Sequence, residues 1–167
     1  MSSNVQDSVS DVPLSSPQIN QEDIDIVTEI LRSGRLSIGA YTEMFEESVA
    51  SFVGTKYAVA VSSGTAALHL ILKSIGFSKD SILVVPSFTF VASANVGTFE
   101  GGQIEFVDIE PETLNMDVDC LEYTLGNLSK ENKKIFLMAV DIFGHPLDWV
   151  RVVRICEKYG VTIIEDS

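Results

Sequence analysis

The sequence predicts an α/β fold with a mainly parallel sheet, and two patterns indicate it. Beyond Gly54, short and almost wholly apolar runs alternate with segments whose apolar residues recur at helical spacing. Strands that are apolar on both faces are typical of a parallel sheet covered by helices on each side. The chain has 167 residues, of which 46% are hydrophobic and 21% charged, so it is long enough to bury one sizeable core.

Two helices are predicted before this alternating part. The first begins after Asn20, which can cap it, has Asp23 at the third position beyond the cap, and ends at Gly34. The second follows a connection that contains glycine, and it ends at Gly54.

The alternating part predicts five strands and four helices. The strands cover 57–61, 82–85, 104–107, 135–140 and 161–164, and the helices cover 66–75, 92–99, 119–125 and 147–159. Ligands of such sheets bind beyond the carboxyl ends of the strands. We therefore expect the chemistry in the residues that follow each strand, which are the turn SSGT at 62–65, the loop SFTF at 87–90, Asp108, Asp141 and Asp166.

The SSGT turn opens a helix, and its residues suit a phosphate. Gly64 allows a ligand close to the backbone, and Ser63 and Thr65 add hydroxyl groups beside the free N–H groups of a helix N-terminus. The turn lacks the lysine of a P-loop and the GxGxxG pattern. A serine cap followed by a packing glycine explains the motif equally well, so both interpretations stay open.

The neighbouring motifs favour a planar ligand. Phe88 or Phe90 could stack on a ring, although each could also pack in the core. Asp166 ends a strand that we expect to be buried, where a carboxylate needs a partner such as a protonated heterocyclic nitrogen. Asp108 and Asp141 could instead cap turns, an interpretation that we favour for Asp108. A magnesium site built from these aspartates is disfavoured because DIEPET lacks a second aspartate.

Charge and composition exclude several classes of protein. A net charge of −13 argues against nucleic-acid binding and against anionic membrane surfaces. Two histidines and two cysteines without CxxC spacing predict neither a metal site nor a disulfide, and they fit a cytoplasmic protein. The uncharged stretch 81–99 is interrupted by polar residues, glycine and proline, which indicates strand, loop and helix rather than a membrane span.

Taken in order, six motifs resemble the N-terminal part of the DegT-type (DegT/DnrJ/StrS) nucleotide-sugar aminotransferases. They are LRSGRLSIG, the segment FEESVASFVGTKYAVAVSSGTAALHL, VVPSFTFVASAN, GGQIEFVDIEPETLNMD, VDIFGHPLDWV and VTIIEDS. The resemblance implies a three-layer αβα large domain of the aspartate aminotransferase-like, pyridoxal-phosphate-dependent transferases, truncated here. It further implies a disordered polar tail over 1–12, N-terminal helices over 13–54 and the first part of the cofactor-binding large domain over 55–167.

The resemblance also implies a role for individual residues. Gly64, Thr65 and Ala66 would hold the phosphate of pyridoxal 5'-phosphate, and Phe90 rather than Phe88 would stack on its pyridine ring. Asp166 would pair with the protonated ring nitrogen. Asp141 falls where the family has a histidine or aspartate near the cofactor. The loop with Ile38 and Gly39 resembles one at the active site and dimer interface of the family.

The family's Schiff-base lysine has no counterpart in these residues. The resemblance places it about twenty-five residues beyond the aspartate that matches Asp166, and no lysine of this chain lies in a matching context. We therefore expect the chain to be an N-terminal fragment that contains no catalytic residue of its own and is inactive alone.

The resemblance implies a cytoplasmic, homodimeric enzyme. It would move an amino group from glutamate or glutamine to a nucleotide-linked keto-sugar for surface polysaccharide, O-antigen or antibiotic-sugar synthesis. Two alternatives stay open: a pyridoxal-phosphate-dependent sugar dehydratase of the same fold, and an inert or cofactor-free α/β fragment.

Overall fold

The computed structural model describes residue 13, residues 15–37 and residues 39–167. The chain divides into two compact units, Met1–Ala60 and Val61–Ser167. The expected tail over 1–12 lies outside the described residues. The observed division follows Ala60, whereas the sequence places its boundary after Gly54, and that boundary stays a prediction.

The first unit contains two helices, α1 (Gln21–Ser33) and α2 (Ala40–Val53). The Asn20 side chain accepts a hydrogen bond from the Asp23 N–H, and the Asp23 carboxylate accepts one from the Asn20 N–H. Gly34 and Gly54 end the helices with φ angles of 69° and 74°, which glycine adopts without steric cost. Both predicted helices and the Asn20 cap are confirmed.

One predicted strand, over 57–61, is not formed. The segment has no regular secondary structure and pairs with none of the described strands. Its described polar contacts do not involve a neighbouring strand: the Ala60 N–H donates to Glu46 Oε1 (2.7 Å) in α2, and the Thr55 hydroxyl donates to the Tyr57 carbonyl (3.1 Å). An apolar composition favours a strand, but a strand also needs a neighbour that binds its backbone N–H and C=O groups. The prediction is wrong here, and the 62–65 turn follows an unpaired segment.

The second unit is built around a parallel sheet of four strands. The strands are β1 (Ser81–Pro86), β2 (Gln103–Val107), β3 (Lys134–Val140) and β4 (Thr162–Asp166). They lie in the order β2-β1-β3-β4, and all three pairings are parallel. The other four predicted strands and the α/β class are thereby confirmed.

Helices cover both faces of this sheet. They are α3 (Gly64–Ser74), α4 (Ala92–Phe99), α5 (Val118–Leu128) and α6 (Trp149–Tyr159). Leu83 and Phe136 face a core shared with α3 and α4, whereas Ile82 and Leu137 face a core shared with α5 and α6. Because side chains alternate along a strand, each central strand contributes to both cores. The three-layer αβα arrangement is confirmed.

Several details differ from the sequence prediction: α3 begins at Gly64 rather than at residue 66, and α5 ends at Leu128 rather than at residue 125. The last helix begins at Trp149 rather than at residue 147, because the Asp148 carboxylate caps it by accepting a hydrogen bond from the Arg151 N–H (3.1 Å). β4 is an edge strand on which only Ile164 is buried, so the expectation that Asp166 ends a buried strand is wrong; its side chain is half-buried.

The uncharged stretch 81–99 forms β1, a loop and α4, as predicted. Among the helices of the described residues, none is both long enough and apolar enough to cross a bilayer.

Candidate functional site

The carboxyl ends of the four strands lie at one edge of the sheet, as parallel pairing requires. Ser87 follows β1, Asp108 follows β2, Asp141 follows β3, and Asp166 is the last residue of β4. The register pairs Val140 with Asp166, and the Asp141 N–H donates to the Asp166 carbonyl (3.3 Å). The sequence prediction that these residues share one edge is confirmed.

The Asp166 carboxylate is held by a hydroxyl group of α4. Ser93 Oγ donates to Asp166 Oδ2 at 2.6 Å, and Ser93 is completely buried. Thr89 Oγ1 lies 3.1 Å from Ser93 Oγ. Within the described residues, Asp166 Oδ1 has no hydrogen-bond partner. One oxygen of Asp166 is therefore fixed, and the other is available to a ligand.

The other two edge aspartates bind the protein itself. Asp141 Oδ1 accepts from the Leu147 N–H (2.9 Å), and its Oδ2 accepts from the Ser167 hydroxyl (3.1 Å). Asp108 Oδ1 accepts from the N–H of the next residue, Ile109 (2.8 Å), and the turn-capping role that we favoured for it stays a prediction. The role of Asp141 beside a cofactor stays a prediction.

The serine cap that the sequence predicts for the SSGT turn is formed, but its glycine packs against none of the described residues, and the phosphate site stays a prediction. Ser63 is the cap of α3, because its hydroxyl accepts from the Ala66 N–H (3.2 Å). Gly64 is exposed, and a Cβ there would meet nothing within 4 Å. In the described part of the chain, the Gly64 and Thr65 N–H groups have no partner, so they remain free for an anion at the positive end of the helix.

Three aromatic side chains stand near the ends of β1 and β3. Phe90 is 74% exposed and Phe88 is 43% exposed. The Phe88 ring centroid lies 6.2 Å from that of Phe143, which is 82% exposed. Phe143 has a φ of 54°, a conformation that is costly for a residue with a side chain. The sequence prediction included Phe88 and Phe90 but not Phe143.

A buried asparagine fixes the loop that carries Phe143. Asn115 Oδ1 accepts from the Ile142 N–H (3.1 Å), and its Nδ2 donates to the His145 carbonyl (2.9 Å). These partners lie 27 and 30 residues away in the chain, so no local pattern around Asn115 indicates them. Ser93 was missed for the same reason, since the carboxylate that it binds lies 73 residues away in the chain.

Other reactive groups do not gather at this edge. In the described residues, no three His, Cys, Asp or Glu side chains are arranged to hold a metal ion. Burial raises the pKa of the Cys156 thiol to about 11, so this thiol is protonated and unreactive at neutral pH.

The geometry suits a flat heterocycle that carries a phosphate. The α3 N-terminus offers two free N–H groups, Phe90 offers an exposed ring face, and Asp166 offers one fixed carboxylate with a free oxygen. The exposed Gly64 leaves room for a phosphate against the backbone.

The sequence profile of the DegT/DnrJ/EryC1/StrS aminotransferase family matches residues 17–167. The chain spans about 40% of the length of the curated relatives that it matches.

Two of these relatives have names that contain a nucleotide-linked sugar. GDP-perosamine synthase of Escherichia coli O157:H7 is 33% identical over 156 residues, which are 93% of this chain and 42% of the relative. UDP-4-amino-4-deoxy-L-arabinose–oxoglutarate aminotransferase of Shewanella sediminis (strain HAW-EB3) is 32% identical over 156 residues, which are 93% of this chain and 39% of the relative.

Solved structures share the same fold. Spr1654 of Streptococcus pneumoniae in its PMP form superposes with a TM-score of 0.84 at 29% identity, over 94% of this chain and 42% of that protein.

Proposed function

The chain belongs to the DegT/DnrJ/EryC1/StrS aminotransferase family, and we propose that it is the cofactor-binding part of a pyridoxal-phosphate-dependent sugar aminotransferase. The observation that carries the proposal is the Asp166 carboxylate, fixed by Ser93 at one oxygen and free at the other. A carboxylate held in this way can accept a hydrogen bond from the protonated nitrogen of a pyridine ring.

Each predicted binding residue has a task in this proposal. The Gly64 and Thr65 N–H groups bind the cofactor phosphate at the N-terminus of α3. The Phe90 ring, which is 74% exposed, covers one face of the pyridine ring. Ala66 contributes through its position in the first turn, since its own N–H is bonded to Ser63. Asp141 supports the site from the neighbouring strand end.

Asp166 is the residue that would control the protonation of the cofactor ring. The cofactor, when bound, supplies an electron sink that makes the hydrogen on the amino-bearing carbon acidic. Asp166 keeps the proton on the ring nitrogen, because a negative charge at hydrogen-bond distance stabilises the positively charged ring. None of the lysines among residues 1–167 lies where the resemblance places the proton-transferring lysine of the family.

The names of the relatives support a proposal for the substrates. The names of the two curated relatives contain a GDP-linked and a UDP-linked sugar, and one contains oxoglutarate. We propose a nucleotide-linked keto-sugar as the amino acceptor and glutamate, whose deamination yields 2-oxoglutarate, as the donor. Glutamine is the second candidate donor. The product would enter polysaccharide, O-antigen or antibiotic-sugar synthesis.

Assembly and location are part of the same proposal. A homodimer is proposed from the resemblance of the 38–39 loop to one at the family's dimer interface; Ile38 lies outside the described residues. The free thiols of Cys120 and Cys156 support a reducing compartment such as the cytoplasm.

Cofactor affinity tests the proposal directly. Pyridoxamine 5'-phosphate is a suitable probe because it binds without a lysine, and calorimetry on this chain measures its dissociation constant. Asp166→Asn should weaken binding about ten- to hundredfold, since it removes a charge-assisted hydrogen bond. Phe90→Ala should weaken it about three- to tenfold through the loss of stacking.

The matched control for Phe90→Ala is Phe52→Ala, which removes another exposed phenylalanine, 92% exposed and located in α2. It should leave the affinity unchanged. A folded chain that does not bind pyridoxamine 5'-phosphate, or that binds it equally well after Asp166→Asn, contradicts the proposal.

The activity itself is tested on a protein of the length of the relatives. Given a nucleotide-linked keto-sugar and glutamate, it should yield an amino sugar and 2-oxoglutarate. A product whose sugar has lost a hydroxyl group and gained no amino group would identify the dehydratase alternative instead.

A further inference from the structure

Two hydroxyl groups and a carboxylate form a hydrogen-bonded chain behind the proposed ring-nitrogen contact. Thr89 Oγ1 lies 3.1 Å from Ser93 Oγ, and Ser93 Oγ lies 2.6 Å from Asp166 Oδ2. We propose that Ser93, supported by Thr89, is a positioning residue that holds the Asp166 carboxylate in the orientation required by the cofactor. This inference rests on the proposed function.

The direction of the hydrogen bonds follows from the number of protons. An ionised carboxylate only accepts, so the short Ser93–Asp166 contact uses the single hydroxyl proton of Ser93. Ser93 Oγ can then only accept from Thr89, although geometry alone permits either direction. The order is therefore Thr89 to Ser93 to Asp166, and each bond strengthens the next by polarisation.

Asp166 needs such a constraint because of its place in the fold. It is the last residue of the edge strand β4, and its side chain is half-buried. Without a partner the carboxylate could rotate toward solvent. Ser93 reaches it from 73 residues away in the chain and binds Oδ2, which leaves Oδ1 for the ring nitrogen.

Ser93 lies on α4, a helix that is held in place by close packing against the sheet. Ala92, Ser93, Val96 and Gly97 of this helix are buried. At Gly97 a Cβ would lie 2.6 Å from Ile104 Cδ1 and 2.9 Å from Leu83 Cδ2, so the helix lies directly against the side chains of β1 and β2. A hydroxyl group on such a helix cannot move far, and therefore it can define the position of a carboxylate.

Loss of the Ser93 hydroxyl should thus weaken cofactor binding without removing any group that touches the cofactor. Ser93→Ala should lower the affinity for pyridoxamine 5'-phosphate about tenfold, the size expected for a hydrogen bond to a charged group. Thr89→Val should lower it about threefold, because Ser93 then loses only its supporting donor. Ser93→Thr keeps the hydroxyl and should restore the affinity to within about twofold of wild type.

The matched control is Ser87→Ala. Ser87 is an exposed serine at the same sheet edge, and its hydroxyl lies 3.5 Å from Asp108 rather than near Asp166. Its removal should leave the affinity and the Asp166 side chain unchanged.

A second readout needs no cofactor. Three-bond NMR couplings from Asp166 Cγ to its backbone nitrogen and carbonyl carbon report the χ1 rotamer. They should show one rotamer in wild type, Ser93→Thr and Ser87→Ala, and averaging over rotamers in Ser93→Ala. Circular dichroism confirms that each variant is folded.

The affinity measurement and the NMR couplings distinguish a failure of the proposed function from a failure of the positioning role of Ser93. If pyridoxamine 5'-phosphate fails to bind the wild-type chain, the proposed function fails, whereas the couplings still test whether Ser93 fixes Asp166. If Ser93→Ala binds as tightly as Ser87→Ala, or if Asp166 keeps a single rotamer in Ser93→Ala, the positioning role is overturned. If Ser93→Thr shows a single Asp166 rotamer and still fails to restore the affinity, the positioning role is also overturned, since the orientation of the carboxylate would then not be the determining factor.

Discussion

The helices before Ala60 and the sheet after it have equally clear sequence patterns but very different burial. All six residues of β1 are buried, whereas α1 has no buried residue and α2 has only Ala50. Phe52 of α2 is 92% exposed. An amphipathic pattern thus shows which face of an element is apolar, but burial depends on a partner that the pattern does not specify.

The segment 57–61, where a predicted strand is not formed, shows the same difference between sequence pattern and structure. Its residues are as apolar as those of β3, yet β3 lies between two strands and the 57–61 segment pairs with none of the described ones. Backbone hydrogen bonds to neighbours, rather than composition, separate the two cases.

The largest difference between the two regions is expected when a side chain of each is truncated and the free energy of unfolding is measured. Leu137 is fully buried in β3, and Leu137→Ala should lower the free energy of unfolding by about 3 kcal/mol through lost burial and a residual cavity. Phe52→Ala should change it by less than about 0.5 kcal/mol. Urea denaturation followed by far-UV circular dichroism, which reports on the helices of both units, measures both. An equal loss at the two positions would show that Phe52 is buried in solution.

Much of the fold can be predicted from the sequence because its determinants are local. The Asn20 cap, the glycine ends of α1 and α2 and the apolar strand runs are each encoded within a few residues. The shared sheet edge of Asp108, Asp141 and Asp166 follows from parallel topology alone.

The remaining features depend on contacts that are distant in the chain. Nothing in the sequence near Ser93 indicates its role, because its hydroxyl lies 2.6 Å from Asp166 Oδ2 only once β4 has formed. Asn115 gains its role from the loop after β3, and Phe143 gains its positive φ from that same loop. Sequence patterns therefore predict which elements form and where their ends meet, but not which side chains fix the site residues.

Helix caps should contribute equally to stability in the exposed helices before Ala60 and in the helices that cover the sheet, because a cap acts locally. Asn20→Ala at α1 and Asp117→Ala at α5 should each cost about 1 kcal/mol. The Asp117 carboxylate accepts from the Asp119 and Cys120 N–H groups at 2.8 and 3.0 Å, which is the counterpart of the Asn20–Asp23 contact. Amide hydrogen exchange in the first turn of each helix measures the change. Asn20→Asp and Asp117→Asn retain a capping oxygen and should retain most of the protection; a loss confined to α5 would show that capping depends on burial.

The smallest effect is expected from an ion cluster that joins α3 to α4. Glu100 accepts from Lys73 Nζ at 2.9 Å and lies 2.5 Å from His69 Nε2. The hydrogen bond from Lys73, and then that from His69, holds the pKa of the Glu100 carboxyl below its ordinary value. Because the charged form is favoured in the folded state, the stabilisation is present above the ordinary glutamate pKa of about 4.3 and is lost as the pH falls through the lowered value.

The difference in urea midpoint between wild type and Glu100→Gln should therefore be constant above about pH 5 and shrink as the pH falls toward 3. Glu157→Gln is the control, since Glu157 is exposed on α6 and no described residue forms a hydrogen bond or ion pair with its side chain. Its midpoint should follow that of wild type at every pH. A constant difference for Glu100→Gln down to pH 3 would show that the cluster contributes through packing rather than through charge, and the α3–α4 contact would then resemble the uncharged cores of the sheet.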